Sequence, residues 1–287
     1  MTERAAGPSD AIRLEGIRYQ YAGARAWALD AVDLSVAPGE VVGLVGPNDA
    51  GKSTLCLVAA GLAPAITGGK LEGHVWLVDA ATSDLPPHEA ARRCGILFQN
   101  PPAQLSGTSA TVWEEIAFGP RNIGLPVGEI ANRVERSLGL LRISPLAPRD
   151  PSRLSGGQSQ LVAMASVLAL EPRALVLDEP TSQLDPEGTR LVGESIRRIA
   201  DETGSGVLVV EHKTSLLARI CDRVAILSAG RTLATGPASE ILARADLISL
   251  GVEPPPAVRL SHSIASAGVP GPIAVRALHA IAAEANR

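Results

Sequence analysis

Aromatic residues are almost missing from this chain: two Phe, two Tyr and three Trp make up 2% of its 287 residues. Ala, Val and Leu must fill the core instead, and each ring becomes informative. Cysteine is scarce too. Cys56, Cys94 and Cys221 are odd in number, scattered and in no CxxC spacing, which speaks against a disulfide framework and suits a reducing compartment. They read as small buried hydrophobes. No stretch approaches the roughly 20 uninterrupted apolar residues of a spanning helix. The polar start "MTERAAGPSD" has no secretory pattern, so the chain is expected neither to cross a membrane nor to be exported. A basic excess is also absent. Lys and Arg number 26 against 30 Asp and Glu, a formal charge of −4, and no nucleic-acid partner is expected. There is no internal repeat and no low-complexity tract.

What is present suits one large α/β domain or a domain with attached lobes, since 46% of the residues are hydrophobic. "AIRLEGIRYQYAGARAWALDAVDLSVAPGE" alternates apolar and polar residues in pieces broken by Gly and Pro, which predicts an N-terminal antiparallel strand group. "VVGLVG" predicts a buried strand and "KSTLCLVAAGLA" the helix after it; "HVWLVD" and "CGILFQ" predict further strands. Positions 100 to 158 change texture to helical pieces separated by Pro, a helical lobe inserted in the core. "QLVAMASVLAL", "ALVLDEP", "PEGTRLVGESIRRIADET" and "GVLVVEH" then alternate helix and strand, which argues for a mainly parallel sheet. "RVAILSAGRTLATG" predicts a terminal hairpin. After about position 246 Pro and Gly break the pattern, leaving a tail or small extra lobe that ends in a short Ala-rich helix.

Three stretches carry chemistry. Gly46 to Ser53 satisfies G-x-x-x-x-G-K-[ST] between a strand and a helix: backbone N–H groups hold phosphates, Lys52 reaches the terminal ones and Ser53 can ligate Mg²⁺. Lys52 is one of three lysines in the chain. "ALVLDEP" ends an apolar strand in Asp178, suited to hold Mg²⁺ through water, and Glu179, suited to act as a general base. "RLSGGQSQL" sets Ser155, Gly156 and Gly157 before a helix, a second anion site. One triphosphate rarely needs two grips. If the two cannot meet within one subunit, the second serves a neighbour's nucleotide, and a head-to-tail dimer with ATP between subunits is expected.

Over roughly residues 10–245 the chain resembles the ATP-binding cassette (ABC) ATPases. "GPNDAGKST" is similar to their Walker A loop, "LSGGQ" to their signature, "ALVLDEP" to their Walker B strand, "LFQNP" to their Q-loop, "TSQLD" to their D-loop and "VVEHK" to the segment with their switch histidine. The resemblance implies a P-loop NTPase fold with a RecA-like core. It implies ATP contacts at Tyr21, Gly46, Asn48, Gly51, Lys52, Ser53, Thr54, Gln99, Ser155, Gly156, Gly157, Gln158 and Asp185. Mg²⁺ falls to Ser53, Gln99 and Asp178, and catalysis to Glu179 with His212. Tyr21 is the expected adenine-stacking ring, with Tyr19 as the alternative.

"FQNPPAQLSGTSATVWEEIAFGPRNIGLP", with Gln104 after the Q-loop, is similar to the ATPases of energy-coupling factor (ECF) transporters, and "LISLGVEPPPAVRL" to their C-terminal extension. That implies a transmembrane coupling protein, a membrane substrate-binding subunit and a second ATPase subunit, identical or related. It also implies a peripheral place on the cytoplasmic face of the membrane, a cargo of vitamins or transition-metal ions, and a dimerisation element within 246–287. An ATPase of another transporter class, a soluble ABC protein acting on ribosomes or DNA, and a regulatory subunit with a nearly silent site are the competing readings. Two residues depart from the pattern: Asp49 stands where Gly is usual and Ser159 where a basic residue is usual. Asp tolerates positive φ, so the loop's path should survive, with the Asp49 carboxylate pointing away from the phosphates.

Overall fold

The computed structural model describes residues 10–100 and 103–267. Two sheets organise them. The first is antiparallel, in the order β2-β1-β4-β5, from β1 (Ile12–Gln20), β2 (Leu29–Val36), β4 (Lys70–Leu77) and β5 (Ala80–Ala81). The second runs β10-β9-β3-β8-β7-β6. Its strands β3 (Val41–Val45), β6 (Cys94–Leu97), β7 (Ala174–Asp178), β8 (Gly206–Val210) and β9 (Arg223–Ser228) are parallel, and β10 (Arg231–Pro237) closes one edge antiparallel to β9. The predicted terminal hairpin is this β9–β10 pair.

The parallel strands read as continuous apolar runs because both faces are covered. Successive side chains point to opposite faces, so each strand feeds two cores. Val41, Val45, Leu175, Leu177, Val207, Val209, Val224 and Ile226 join one core with the helices. Val42, Leu44, Val176, Leu208, Val210 and Leu227 join the other. That second core also takes the antiparallel sheet and α1 (Lys52–Ala59), so α1 is clasped between the two sheets.

The inserted helices are α3 (Val112–Asn122) and α4 (Val127–Leu140), following α2 (Pro87–Arg93). Thr111 and Glu114 form a capping box at the start of α3. Ile116, Val134 and Leu138 pack into the same core as Val162 and Met164 of α5 (Gly156–Leu168), so the insertion shares the helix-side core. α6 (Pro186–Thr203) matches the predicted helix and ends at Gly204, φ 69°. α7 (Thr214–Ile220) and α8 (Ala238–Ile241), like α2, are short helices that the pattern reading did not separate.

The tail differs from expectation. Pro256 opens α9 (Pro256–Ala267), because proline at the first turn of a helix has no N–H to lose. Before it, Leu247 and Val252 are buried in the helix-side core, so the extension begins docked on the domain. The expected Ala-rich final helix lies outside the described residues.

Candidate functional site

The parallel strands end along one edge of their sheet. Leu44 and Asp178 both pair with Val210, and Leu97 pairs with Leu177. The loops after β3, β6, β7 and β8 therefore emerge side by side, carrying Gly46–Ser53, Gln99, Glu179 and His212.

After β3 the chain makes a turn that two glycines permit. At Gly46 a Cβ would collide with the Leu227 carbonyl, and at Gly51, φ 98°, it would sit 2.7 Å from the Ala28 oxygen. Gly51 is also the N-cap of α1, and no side chain caps that helix. Lys52 folds back over the loop, donating to the Gly46 carbonyl at 3.0 Å and the Pro47 carbonyl at 2.8 Å. Its side chain is buried. Burial pulls the ammonium's pKa down, while the carboxylates of Glu179, Asp178 and Asp49 push it back up. Asn48 and Asp49 are exposed, and Asp49 takes φ 62°. The loop thus accepts Asp in the left-handed conformation, as expected.

Tyr19 and Tyr21 separate cleanly. Tyr19 is fully buried and its hydroxyl donates to the Gly68 carbonyl at 2.7 Å. Tyr21 is 37% exposed and its hydroxyl meets Thr54 Oγ1 of α1 at 3.1 Å. Of the two rings, Tyr21 is the one open to a ligand beside the loop.

Asp178 is 5% exposed, and its Oδ1 is buried with no hydrogen-bond partner. Burial raises its pKa, and a hydrogen bond from the Ser53 side chain lowers it. A carboxylate with a free buried oxygen beside a hydroxyl is a hard-oxygen donor set, which fits Mg²⁺ completed by water and substrate oxygens. No cluster of three or more His, Cys, Asp or Glu among the described residues could hold a metal ion. Gln99 lies two residues past β6, exposed.

Glu179 follows at φ 51°, a strained conformation for Glu, with its N–H fixed to the Val210 carbonyl at 3.0 Å. Its Oε1 lies 3.2 Å from Nε2 of His212. The expected base and switch histidine therefore meet in hydrogen-bonding range.

Ser155 caps α5 through a reciprocal box with Gln158. The Ser155 hydroxyl accepts from the Gln158 N–H at 3.3 Å, and Gln158 Oε1 accepts from the Ser155 N–H at 3.1 Å. Gly156 and Gly157 pack against Gln183 in the loop before α6, where a Cβ on Gly156 would push the Gln183 side-chain amide aside. Asp185 caps α6, accepting from the Gly188 N–H at 2.7 Å. Among the described residues no hydrogen bond or ion pair joins this group to Gly46–Ser53 within the subunit. A separate cavity of about 370 Å³ lies between α6 and α7, lined by Arg190, Arg197 and Arg219 among others, and contains none of these residues.

The ABC transporter family profile matches residues 29–182, more than half of the chain. The chain belongs to that family. It is an ATPase cassette, 41% identical over 242 residues to the energy-coupling factor transporter ATP-binding protein EcfA2 of Symbiobacterium thermophilum, covering 83% of this chain and 82% of that one. The structure of cbiO1 from Clostridium perfringens, described as part of the ABC transporter complex cbiONQ, superposes with a TM-score of 0.72 at 30% identity, covering 84% of this chain and 94% of that one. The dimeric bacterial ABC cassette MJ0796 superposes with a TM-score of 0.70 at 26% identity, covering 79% of this chain and 98% of that one. The cassette spans 42% of the length of a Methanosarcina mazei relative to which it is 39% identical over 87% of its own residues.

Sequence reasoning missed three side chains of the cassette's site. Gln160, fully buried on α5, places Nε2 3.5 Å from the Glu179 carbonyl. Gln104, noted only as a subfamily marker, clamps the Q-loop by accepting from the Phe98 N–H at 3.0 Å and donating to the Ile96 carbonyl at 2.8 Å. Glu211, buried at 3% exposure, was passed over as the neighbour of His212. A charged residue ending an apolar strand was the available signal for it. Ser159 is buried, so a basic residue there would have to extend its charge out of the packing.

Among the described residues no helix is long and apolar enough to cross a membrane.

Proposed function

We propose that this cassette is the ATP-hydrolysing subunit of an ECF-type membrane importer. The carrying observation is the 3.2 Å pair of Glu179 and His212 on the edge where Lys52, Ser53 and Asp178 also converge. In this reading Gly46, Asn48, Gly51, Lys52, Ser53 and Thr54 receive the phosphates and Tyr21 stacks on adenine. Ser53 and Asp178 hold Mg²⁺, with Gln99 reaching it from the next strand end. Bound Mg²⁺ would neutralise charge on the phosphate oxygens. Glu179 takes the proton of the attacking water, and His212 fixes the Glu179 carboxylate.

Ser155, Gly156, Gly157 and Gln158, with Asp185 beside them, serve the nucleotide of a second ATPase subunit. The exposed Ser155, Gly156 and Asp185, outside the phosphate loop's contacts, support this, and so does the dimeric state of the similar MJ0796 cassette. The importer reading is supported by the likeness to EcfA2 and cbiO1. Surface chemistry supports it too: the chain has two phenylalanines, and both Phe98, next to Gln99, and Phe118, on α3, are exposed. In a chain so poor in aromatics, outward rings suit an apolar partner surface. The partners are a transmembrane coupling protein and a membrane substrate-binding subunit, which chooses the vitamin or transition-metal ion. The cassette then sits at the cytoplasmic face of the membrane. The proposed ATPase domain spans 10–245, with the helical insertion at about 100–158, and 246–287 is its dimerisation element.

Glu179→Gln tests the chemistry. Turnover should fall by at least roughly 100-fold while ATP-dependent dimers accumulate. Normal turnover would remove Glu179 from its role. Co-purification of membrane proteins tests the importer reading, and recovery of ribosomal proteins in their place would sink it.

A further inference from the structure

Glu211 is a buried carboxylate for which the chemistry above has no use. Its two oxygens face different loops. Oε1 accepts from the Thr181 N–H at 3.0 Å and from the Thr181 hydroxyl. Oε2 accepts from the His212 N–H at 3.1 Å and the Lys213 N–H at 3.4 Å. Lys213 closes the ring from the other side, its ammonium donating to the Thr181 carbonyl and to Thr189 Oγ1, each at 2.8 Å. Thr181 is fully buried and stands two residues after Glu179. The carboxylate therefore bolts the segment leaving Glu179 to the backbone of His212. Four donors on one buried carboxylate hold both of its oxygens in fixed directions.

We infer that Glu211 is a positioning residue for hydrolysis: it fixes His212 against Glu179 by tying the His212 backbone to the segment that runs from Glu179 through Thr181 towards Asp185. The inference rests on the proposed roles of Glu179 and His212. The strained φ of Glu179 fits it, because such a conformation persists where its surroundings over-determine it. Through the same bolt, a shift of the Thr181–Asp185 segment is felt at His212. The link joins the segment assigned to the facing subunit with the histidine beside the base.

A mutant cycle on the full-length chain separates positioning from general support. Glu211→Gln keeps the shape but puts an NH₂ where an acceptor is required, so one of the two loops is released. Expected is a roughly tenfold fall in kcat, read by single-turnover ATP hydrolysis, with the Kd for a fluorescent ATP analogue unchanged within about twofold. In a His212→Ala background the same substitution should cost less than about twofold. Thr181→Val, which removes only the hydroxyl, should move kcat the same way by a smaller factor. It takes the place of Glu211→Gln in the cycle if that variant loses ATP binding altogether. An unchanged kcat, or an equal loss with and without His212, overturns the inference. Glu179→Gln run alongside separates the failures. If that variant turns over normally, the catalytic assignment falls; if it is inactive while Glu211→Gln and Thr181→Val are indifferent, only the positioning role falls.

Discussion

Two glycine-led helix starts carry the recognisable motifs, and they are built on opposite plans. α1 begins at Gly51 with no side-chain cap, its first N–H groups turned into a loop over which Lys52 is folded. α5 begins at Ser155, whose box with Gln158 satisfies two local donors. A helix start leaves four N–H groups without intrahelical partners. The first plan leaves that demand to an anion; the second answers much of it from its own sequence. The start of α1 is thus left open to a ligand, whereas the start of α5 holds its shape by itself, as the proposed service to a facing subunit requires. ATP affinity of the lone chain should accordingly reside in α1, and α5 should matter once two chains meet.

Lys52→Ala breaks the first half of that contrast and should have the largest effect. Losing a charged donor on the phosphates should weaken ATP binding roughly 100-fold in calorimetry, with the fold intact by circular dichroism. Ser155→Ala probes the second half. Loss of the cap costs about 1 kcal/mol at the α5 start. ATP affinity of the monomer should stay within about twofold, while ATP-driven dimerisation falls roughly tenfold in analytical ultracentrifugation. A comparable loss of monomer affinity would mean that both helix starts serve one nucleotide.

The contrast also explains what the sequence could and could not tell. Periodicity marked α6 to the residue and the buried strands closely, because continuous apolar runs between turns have few alternatives. The same signal could not tell which sheet β4 would join, since pairing partners are set by contacts distant in sequence. α9 was read as a broken tail because three consecutive prolines look like a stop; the last of them is a helix start. At the site, motif residues were legible as types in order. Tyr21 was separable from Tyr19 only when the register of β1 sent one ring into the core. Glu211 could be flagged only as a charged residue ending an apolar strand; its partner Thr181 lies 30 positions away, and no local spacing announces that bond.

Asp178 tests whether the open plan carries a cost in stability. Its buried carboxyl has a raised pKa, so the fold tolerates it protonated and is strained by its ionised form. The penalty is absent below the unfolded pKa and grows as pH rises through the folded one. Asp178→Asn should therefore raise the Tm of the nucleotide-free, EDTA-treated protein by about 2–4 °C at pH 7, an advantage that shrinks below about pH 4. The same variant should lose the Mg²⁺ dependence of its nucleotide affinity. A lower Tm at pH 7 would show that the Ser53 bond outweighs desolvation.

The smallest effect is expected at Asp49, where the open cradle carries a negative charge. Two facts bound it. The residue is exposed and holds φ 62°, a conformation glycine adopts freely, so Asp49→Gly leaves the loop's path intact. Its carboxylate nevertheless acts on Lys52, raising that pKa, so it lies within the field of the phosphate site. A carboxylate aimed at the triphosphate from about 7 Å would repel each phosphate charge by roughly 2 kcal/mol at an effective dielectric of 20, a penalty incompatible with ordinary ATP binding. A solvated carboxylate on the rim is weakened by water and by a Debye length of about 8 Å at physiological salt. Asp49→Gly should then tighten ATP by less than about threefold at that salt, with the gain growing as salt is lowered. A gain above roughly tenfold that ignores salt would place the carboxylate against the phosphates, and the α1 cradle would have to be counted as one that its own loop partly fills.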